Sequence, residues 1–182
     1  YGYTASVTLM ARLGVNIALG TDWLLSGSMN MLREFRCVDS LNRQHYDVAF
    51  SDKAIMDMAT TNGAKAAGFG DRVGLLRSGY MADLSFFAST AERRFYRAAL
   101  NAEAKDVIMV QRSGLPLYGD AALMEALGHT DGDCEVIDVC TTPKRLCVQR
   151  ESGGKTLAQL QEIAPPKYKL FECGEPPREP SC

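Results

Sequence analysis

The chain lacks several features that mark common functional classes. It has no apolar run near the roughly 18 residues of a transmembrane helix. It has no block of like charge, and its 20 Lys+Arg stand against 22 Asp+Glu. That balance argues against a general nucleic-acid surface, which needs a basic excess. Histidine occurs only twice, at His45 and His129, and neither sits in an HxH or HExxH pattern. None of the six cysteines forms a CxxC pair, so zinc-finger and zinc-ribbon spacing is missing. No GxSxG nucleophile elbow is present. "GFGDRVG" is not a phosphate loop, because it lacks the Gly-Lys-Ser/Thr ending and a strand leading into it. The opening "YGYTASVTLMARLG" has neither an initiator Met nor a basic region ahead of an apolar core, so it is no signal peptide. It reads as interior sequence, and a fragment or a processed chain is expected.

What is present suits a packed protein. The 182 residues are nearly half apolar, enough for one domain or for a small domain with part of another. Five of the six cysteines, Cys134, Cys140, Cys147, Cys173 and Cys182, fall in the last third, with Cys37 apart from them. A cysteine cluster in a Pro- and Gly-rich tail favours disulfides, and with them a periplasmic or secreted location over the cytoplasm. Cys173 and Cys182 bracket "GEPPREPS", a loop that could close on itself. Cys37 lies on an apolar helical face and reads as a core thiol.

Thr4 to Leu13 has helical spacing, with Gly14 as its stop. Val15 to Gly20 is β-like. Its odd positions, Val15, Ile17 and Leu19, are bulky. Its even positions, Asn16, Ala18 and Gly20, are small or polar and continue to Asp22. In an extended chain these sets point to opposite faces. A second helix is expected from Ser28, its N-cap, with Met31, Leu32, Phe35, Val38 and Leu41 inward. A third follows Ser51, with Ile55, Met58 and Ala59 inward. The order suits an α/β layer with parallel strands. Beyond Gly68 to Arg72 the pattern turns to β: Leu84 to Ala88, a hairpin through Ser113-Gly114, and another turning near Thr142-Pro143. Asp120 to Leu127 reads as a connecting helix. The tail after Arg150 reads as irregular, anchored by its cysteines, Leu160 and Phe171.

Asp22 is the sharpest chemical feature. A carboxylate at the C-terminal end of a parallel strand is where α/β proteins place catalytic groups. There it can ligate a divalent cation or take a proton from an activated water. Taken by itself, an Asp at this point is more often a turn residue bonding backbone N–H groups. Trp23 and Ser26 are weaker candidates for lining a pocket. Ser26, Ser28 and Asn30 could contact a ligand at the mouth of the layer, with helix capping the better reading of Ser28; Arg33 and Glu34 read as a solvated helix face. A metal site needs at least three ligands, and no partner set for Asp22 is visible.

Three motifs in order extend this reading. They are "GVNIALGTDW" with "SGSMNMLREF", then "ATTNGAKAAGF", then "VGLLRSGYMADLSFFA" with "VIMVQRSGLPLYGD". Together they resemble the C-terminal part of the metal-dependent amidohydrolase superfamily, in the branch of chlorohydrolases, cytosine and guanine deaminases and imidazolonepropionase-like enzymes. The resemblance covers about Val7 to Asp120. It implies an α/β plus β fold: the C-terminal portion of a (β/α)8 barrel followed by part of a small β-sandwich. Residues 1–70 would hold barrel strand eight (Val15 to Thr21) and its flanking helices, 71–150 the sandwich portion, and 151–182 the Cys/Pro-rich tail. It implies that Asp22 is both a metal ligand and a proton shuttle for the attacking hydroxide. The metal would be zinc, or else iron, bound mainly by residues outside this chain. The reaction would be hydrolysis of a C–N bond, other than a peptide bond, in a small cyclic amide, amidine or N-heterocycle. The expected partners are that small molecule and the N-terminal part of the same protein, with room for a homo-oligomer and no nucleic acid or membrane span. The chain alone would be inactive. Asp83, His45 and His129 match no family ligand and read as structural. The alternative is a non-catalytic binding or assembly module derived from the same fold.

Overall fold

The computed structural model describes residues 5–22, 27–130, 132, 134–163 and 173–174. These fall into two units. The first takes residues up to 81 together with 89–101; the second takes 82–88 and the described residues from 102 onward.

The first unit is helical. Helix α1 (Val7–Arg12) leads into the extended segment 15–22, followed by α2 (Met31–Gln44), α3 (Asp52–Ala59), α4 (Thr61–Ala66) and α5 (Tyr96–Leu100). The 3.6-residue pattern sets the faces as expected. Phe35 from α2, Ile55 and Met58 from α3, Leu100 from α5 and Phe50 form one buried cluster. Met31, Leu32, Val38 and Ala59 pack against it. Burying a side chain such as Ile55 or Leu100 contributes about 1.5–3 kcal/mol. Ser51 caps α3 by accepting from Ala54 N–H at 3.2 Å. Asn42, buried on α2, clamps the chain beyond it: its side chain donates to Phe50 O at 2.8 Å and accepts from Phe50 N–H at 3.0 Å. Arg97 on α5 ion-pairs with Asp39 of α2 at 2.8 Å and with Asp52 at the start of α3.

Three expectations need correction here. The N-cap of α2 is Asn30, whose side chain accepts from Arg33 N–H at 3.1 Å, and not Ser28. Ser28 instead donates its hydroxyl to Glu34 at 2.7 Å, so Glu34 is partly buried rather than solvated. Cys37 is disulfide-bonded and is not a core thiol.

The second unit is a five-stranded sheet in the order β1-β2-β3-β5-β4, with every neighbouring pair antiparallel. Its strands are β1 (Leu84–Phe87), β2 (Val107–Arg112), β3 (Leu115–Asp120), β4 (Glu135–Val139) and β5 (Thr142–Leu146). The connecting helix α6 (Ala121–Ala126) packs Met124 against Met109, Cys134 and Cys147, while α7 (Leu157–Ile163) breaks the expected irregular tail. Asp83 is structural as expected: its carboxylate accepts from Ser113 N–H at 2.7 Å and braces the β2–β3 turn. Among the described residues no parallel strand pair occurs, against the expected parallel layer.

The last hairpin turns at Cys140-Thr141, two residues earlier than the expected Thr142-Pro143. Both turn residues have positive φ, 54° and 67°, the pairing whose twist matches the flanking strands. Pro143 lies inside β5, but the ladder with β3 begins only at Lys144. The proline therefore sits where β3 offers no partner, which a strand tolerates.

Disulfides form as expected, with one pairing corrected. Cys134 bonds Cys147, one step beyond the register pair Glu135–Leu146 of β4 and β5. Cys140 bonds Cys173, so Cys173 does not close the "GEPPREPS" loop. Lys144 has a fully buried side chain. Its ammonium donates to the carbonyls of Lys105 and Val107, at 2.8 and 2.9 Å, and pairs with Asp120.

Candidate metal centre

The segment that ends in Asp22 keeps the two faces that its sequence shows. Ile17, Leu19 and Thr21 are partly buried, while Asn16, Ala18, Gly20 and Asp22 are exposed; Val15, expected on the bulky face, is exposed too. Ile17 and Leu19 pack against the helical core. No strand is assigned over 15–21, contrary to expectation, because helices rather than strands satisfy its backbone among the described residues. Leu19 N–H donates to Met58 O at 3.0 Å. The Asn62 amide donates to Ile17 O at 2.9 Å, and the Asn16 amide donates to Asn62 O at 3.0 Å.

This explains two of the motifs. "ATTNGAKAAGF" supplies Asn62, a side-chain clamp on the Asp22 segment. Its neighbour Thr61 donates to Gly74 O at 3.0 Å, tying α4 to the following loop. "SGSMNMLREF" supplies the return of the chain. Ser28 N–H donates to Thr21 O at 2.9 Å. A Cβ on Gly27 would stand 1.9 Å from that same carbonyl oxygen and 2.8 Å from Asp22 Cβ, so this approach admits only glycine. The buried Ser28 hydroxyl then anchors the return on Glu34.

Asp22 itself has φ +55°, in the left-handed region that Asp enters more readily than most side chains. Trp23 and Ser26 lie outside the described residues. His45 is exposed at the C-cap of α2, beside Thr8, Arg12 and Asp47 in a shallow groove. Among the described residues no three metal-donor side chains gather around Asp22. The carboxylate can thus supply one ligand or one proton acceptor, and a complete centre needs donors from elsewhere. Gly27 and Asn62 were missed as site-forming residues. Gly27 had a signal in its place between two serines, whereas the partner of Asn62 lies 45 residues away.

The sequence pattern of the amidohydrolase family matches residues 2–117, more than half of the chain. The chain belongs to the amidohydrolase family. Among its relatives is the 5-methylthioadenosine/S-adenosylhomocysteine deaminase of Pyrococcus furiosus, 38% identical over 133 residues, which are 69% of this chain and 30% of that enzyme. The 5'-deoxyadenosine deaminase of Methanosarcina mazei is 34% identical over 84 residues, 44% of this chain and 19% of that enzyme. A solved adenosine deaminase from Xanthomonas campestris with bound zinc superposes with a TM-score of 0.54 at 28% identity, covering 60% of this chain and 27% of that one. The chain therefore spans less than a third of the length of each of these relatives.

Proposed function

We propose that the intact protein is a divalent-metal-dependent hydrolytic deaminase of an adenosine-type nucleoside, and that this chain contributes Asp22 to its metal centre. The carrying observation is the exposed, small and polar face of segment 15–22, which ends in Asp22 and lies within the region matched to the family. In this reading the segment is the last strand of a (β/α)8 barrel, whose remaining strands lie outside the chain and cover that face. The relatives' names share an adenosine-type nucleoside, whose exocyclic amino group sits on an amidine-like carbon. Zinc is the first choice of metal and iron the second.

The metal, when bound, lowers the energy needed to make a hydroxide-like nucleophile from water. Asp22 acts on protons. Its carboxylate accepts one from the attacking water and hands it to the departing nitrogen. The balance is simple: water adds to the ring carbon, the C–N bond breaks, ammonia leaves and a ring carbonyl remains. Gly27 and Ser28 hold Asp22 at the turn, and Asn62 holds the strand behind it. Alone, the chain is inactive because the other ligands are absent.

The test is a chimera that joins this chain to the N-terminal portion of the Pyrococcus furiosus relative. Ammonia release from 5-methylthioadenosine or adenosine and bound zinc are then measured. Asp22→Asn should lower turnover by about 100-fold or more, in the range of a lost acid–base group. Unchanged turnover in Asp22→Asn overturns the assignment. A chimera that folds and binds metal but releases no ammonia favours the non-catalytic module instead.

A further inference from the structure

A second group of metal donors stands in the sheet unit, apart from the proposed deaminase centre and independent of that reading. His129, Cys134 and Cys147 place one ligand atom each within 4.8 Å of one another. The two cysteines are joined as a disulfide and are buried. Nδ1 of His129 is also buried and has no hydrogen-bond partner among the described residues. An orphaned ring nitrogen in such a place calls for a ligand or an explanation.

Local structure explains why the histidine is there. Helix α6 ends in a Schellman motif: Gly128 N–H donates to Glu125 O at 2.9 Å, and His129 N–H donates to Met124 O at 2.9 Å. Gly128 has φ +86°, which the motif requires. In that motif the residue at the His129 position folds back over the helix's last turn. Here that turn carries Met124, which is fully buried against Cys134 and Cys147. The sheet register places the two cysteines opposite each other at the open end of the β4–β5 pair. The helix-end hydrogen bonds thus place His129, and the strand register places the cysteines, so that the three donors come together.

We propose that Cys134, Cys147 and His129 form a redox-gated zinc site, closed as a disulfide when oxidised and able to bind Zn²⁺ when reduced. A small dithiol reductant attacks one sulfur of the disulfide, and its second thiol resolves the mixed disulfide. Two cysteine thiols and one oxidised, cyclised reductant result. Zinc then takes both sulfurs as thiolates, releasing one proton from each to solvent, and takes neutral His129 through a ring nitrogen. Water completes the four-coordinate shell that zinc prefers. Once reduced, the two sulfurs part from bonding distance to about 3.7 Å, the separation that two ligands on one tetrahedral zinc require at Zn–S of about 2.3 Å. The His129 nitrogen, already within 4.8 Å of them, closes to about 2.0 Å from the metal. Either state therefore clasps β4 to β5, by a covalent bond or by a metal.

The experiment uses the full chain, as isolated and after dithiol reduction with removal of the reductant under nitrogen. Co²⁺ serves as the spectroscopic probe and Zn²⁺ as its competitor. The expected result in the reduced chain is thiolate-to-cobalt charge transfer with tetrahedral ligand-field bands, displaced by zinc and absent from the oxidised chain. His129→Ala should keep the fold and weaken cobalt binding by at least about tenfold, the low end of what losing a supporting hydrogen bond alone costs. Cys134→Ser with Cys147→Ser should abolish the bands; where that pair impairs folding, His129→Ala carries the test. Three results would overturn the proposal: no cobalt bands after reduction, bands indifferent to His129→Ala and hence owed to the other cysteines, or a reduced chain that stays unfolded with metal present.

Discussion

The two units achieve order by different means. The helical unit rests on an apolar cluster from α2, α3 and α5, and on side-chain amides that hold irregular backbone. At its start Leu9, Leu13 and Val15 remain more than half exposed, at 55%, 71% and 51%. The sheet unit has a smaller apolar cluster, two of whose four buried members are the cysteines of one disulfide. Its interior also holds the buried Lys144 and Arg145, each paired with a carboxylate. The helical unit adds the Cys37 disulfide and the Arg97 ion pairs to the larger apolar cluster. The sheet unit has less apolar core and leans more on its covalent and ionic clasps, as small sheets tend to do.

Removing a clasp should therefore have the largest effect. Cys140→Ser with Cys173→Ser opens a 33-residue loop, and the chain-entropy account assigns about 3–4 kcal/mol to its closure. Denaturant unfolding should show this loss. Hydrogen exchange should place it in residues 134–163, with 31–66 little changed. Equal loss of protection in α2 and α3 would break the contrast. Lys144→Met comes next. It leaves the carbonyls of Lys105 and Val107 without their donor and Asp120 without its cation, at a cost on the order of 3 kcal/mol. Asp120→Asn in the same background should restore part of that. A Lys144→Met variant as stable as wild type would show that the ion is dispensable.

This contrast also governs what could be read from the sequence. Periodicity identified the helix faces because one apolar stripe meets one core: Phe35, Ile55 and Met58 are buried where spacing put them. Alternation identified the two faces of segment 15–22 for the same reason. Asp22 stood out as a candidate because a carboxylate at the end of such a run is unusual. Pairings made at a distance were not visible. Nothing near Asn62 says that its amide meets Ile17, and nothing near Lys144 says that its ammonium is buried. Disulfide partners depend on which Cα atoms approach, so adjacency in sequence wrongly favoured closure of Cys173 with Cys182. Pro143 drew the turn to itself by its usual preference, while the register with β4 put it inside a strand.

A middle-sized effect tests the helical unit at the turn that matters most. Gly27→Ala forces a methyl against the Thr21 carbonyl, and the turn must open to admit it. The cost should be about 2 kcal/mol, typical of overpacking. In the chimera it should also lower deaminase turnover while bound zinc falls, because Asp22 moves with the turn. Loss of stability with full turnover would separate Gly27 from the site.

The smallest effect is a pH dependence confined to the sheet unit. Burial first, and then the nearby Asp120 charge, push the Tyr118 phenol up to about 12. Unfolded, the phenol ionises near 10. Between these values the unfolded chain gives up a proton that the folded chain keeps, so stability falls as pH rises. The Tyr118 contribution is whole below about pH 10 and is lost through about pH 12. Tyr118 is only half-buried, so solvent screening keeps the effect small. Tyr118→Phe cannot ionise and should flatten the alkaline decline in urea midpoint between pH 9.5 and pH 11.5, values chosen to straddle roughly the unfolded value. At pH 8 the two chains should differ by a constant offset that does not vary with further acidification to pH 7, since neither loses a proton there. Parallel declines in wild type and Tyr118→Phe would mean that water reaches the phenol, and that the β3 face near Asp120 is looser than its ladder implies.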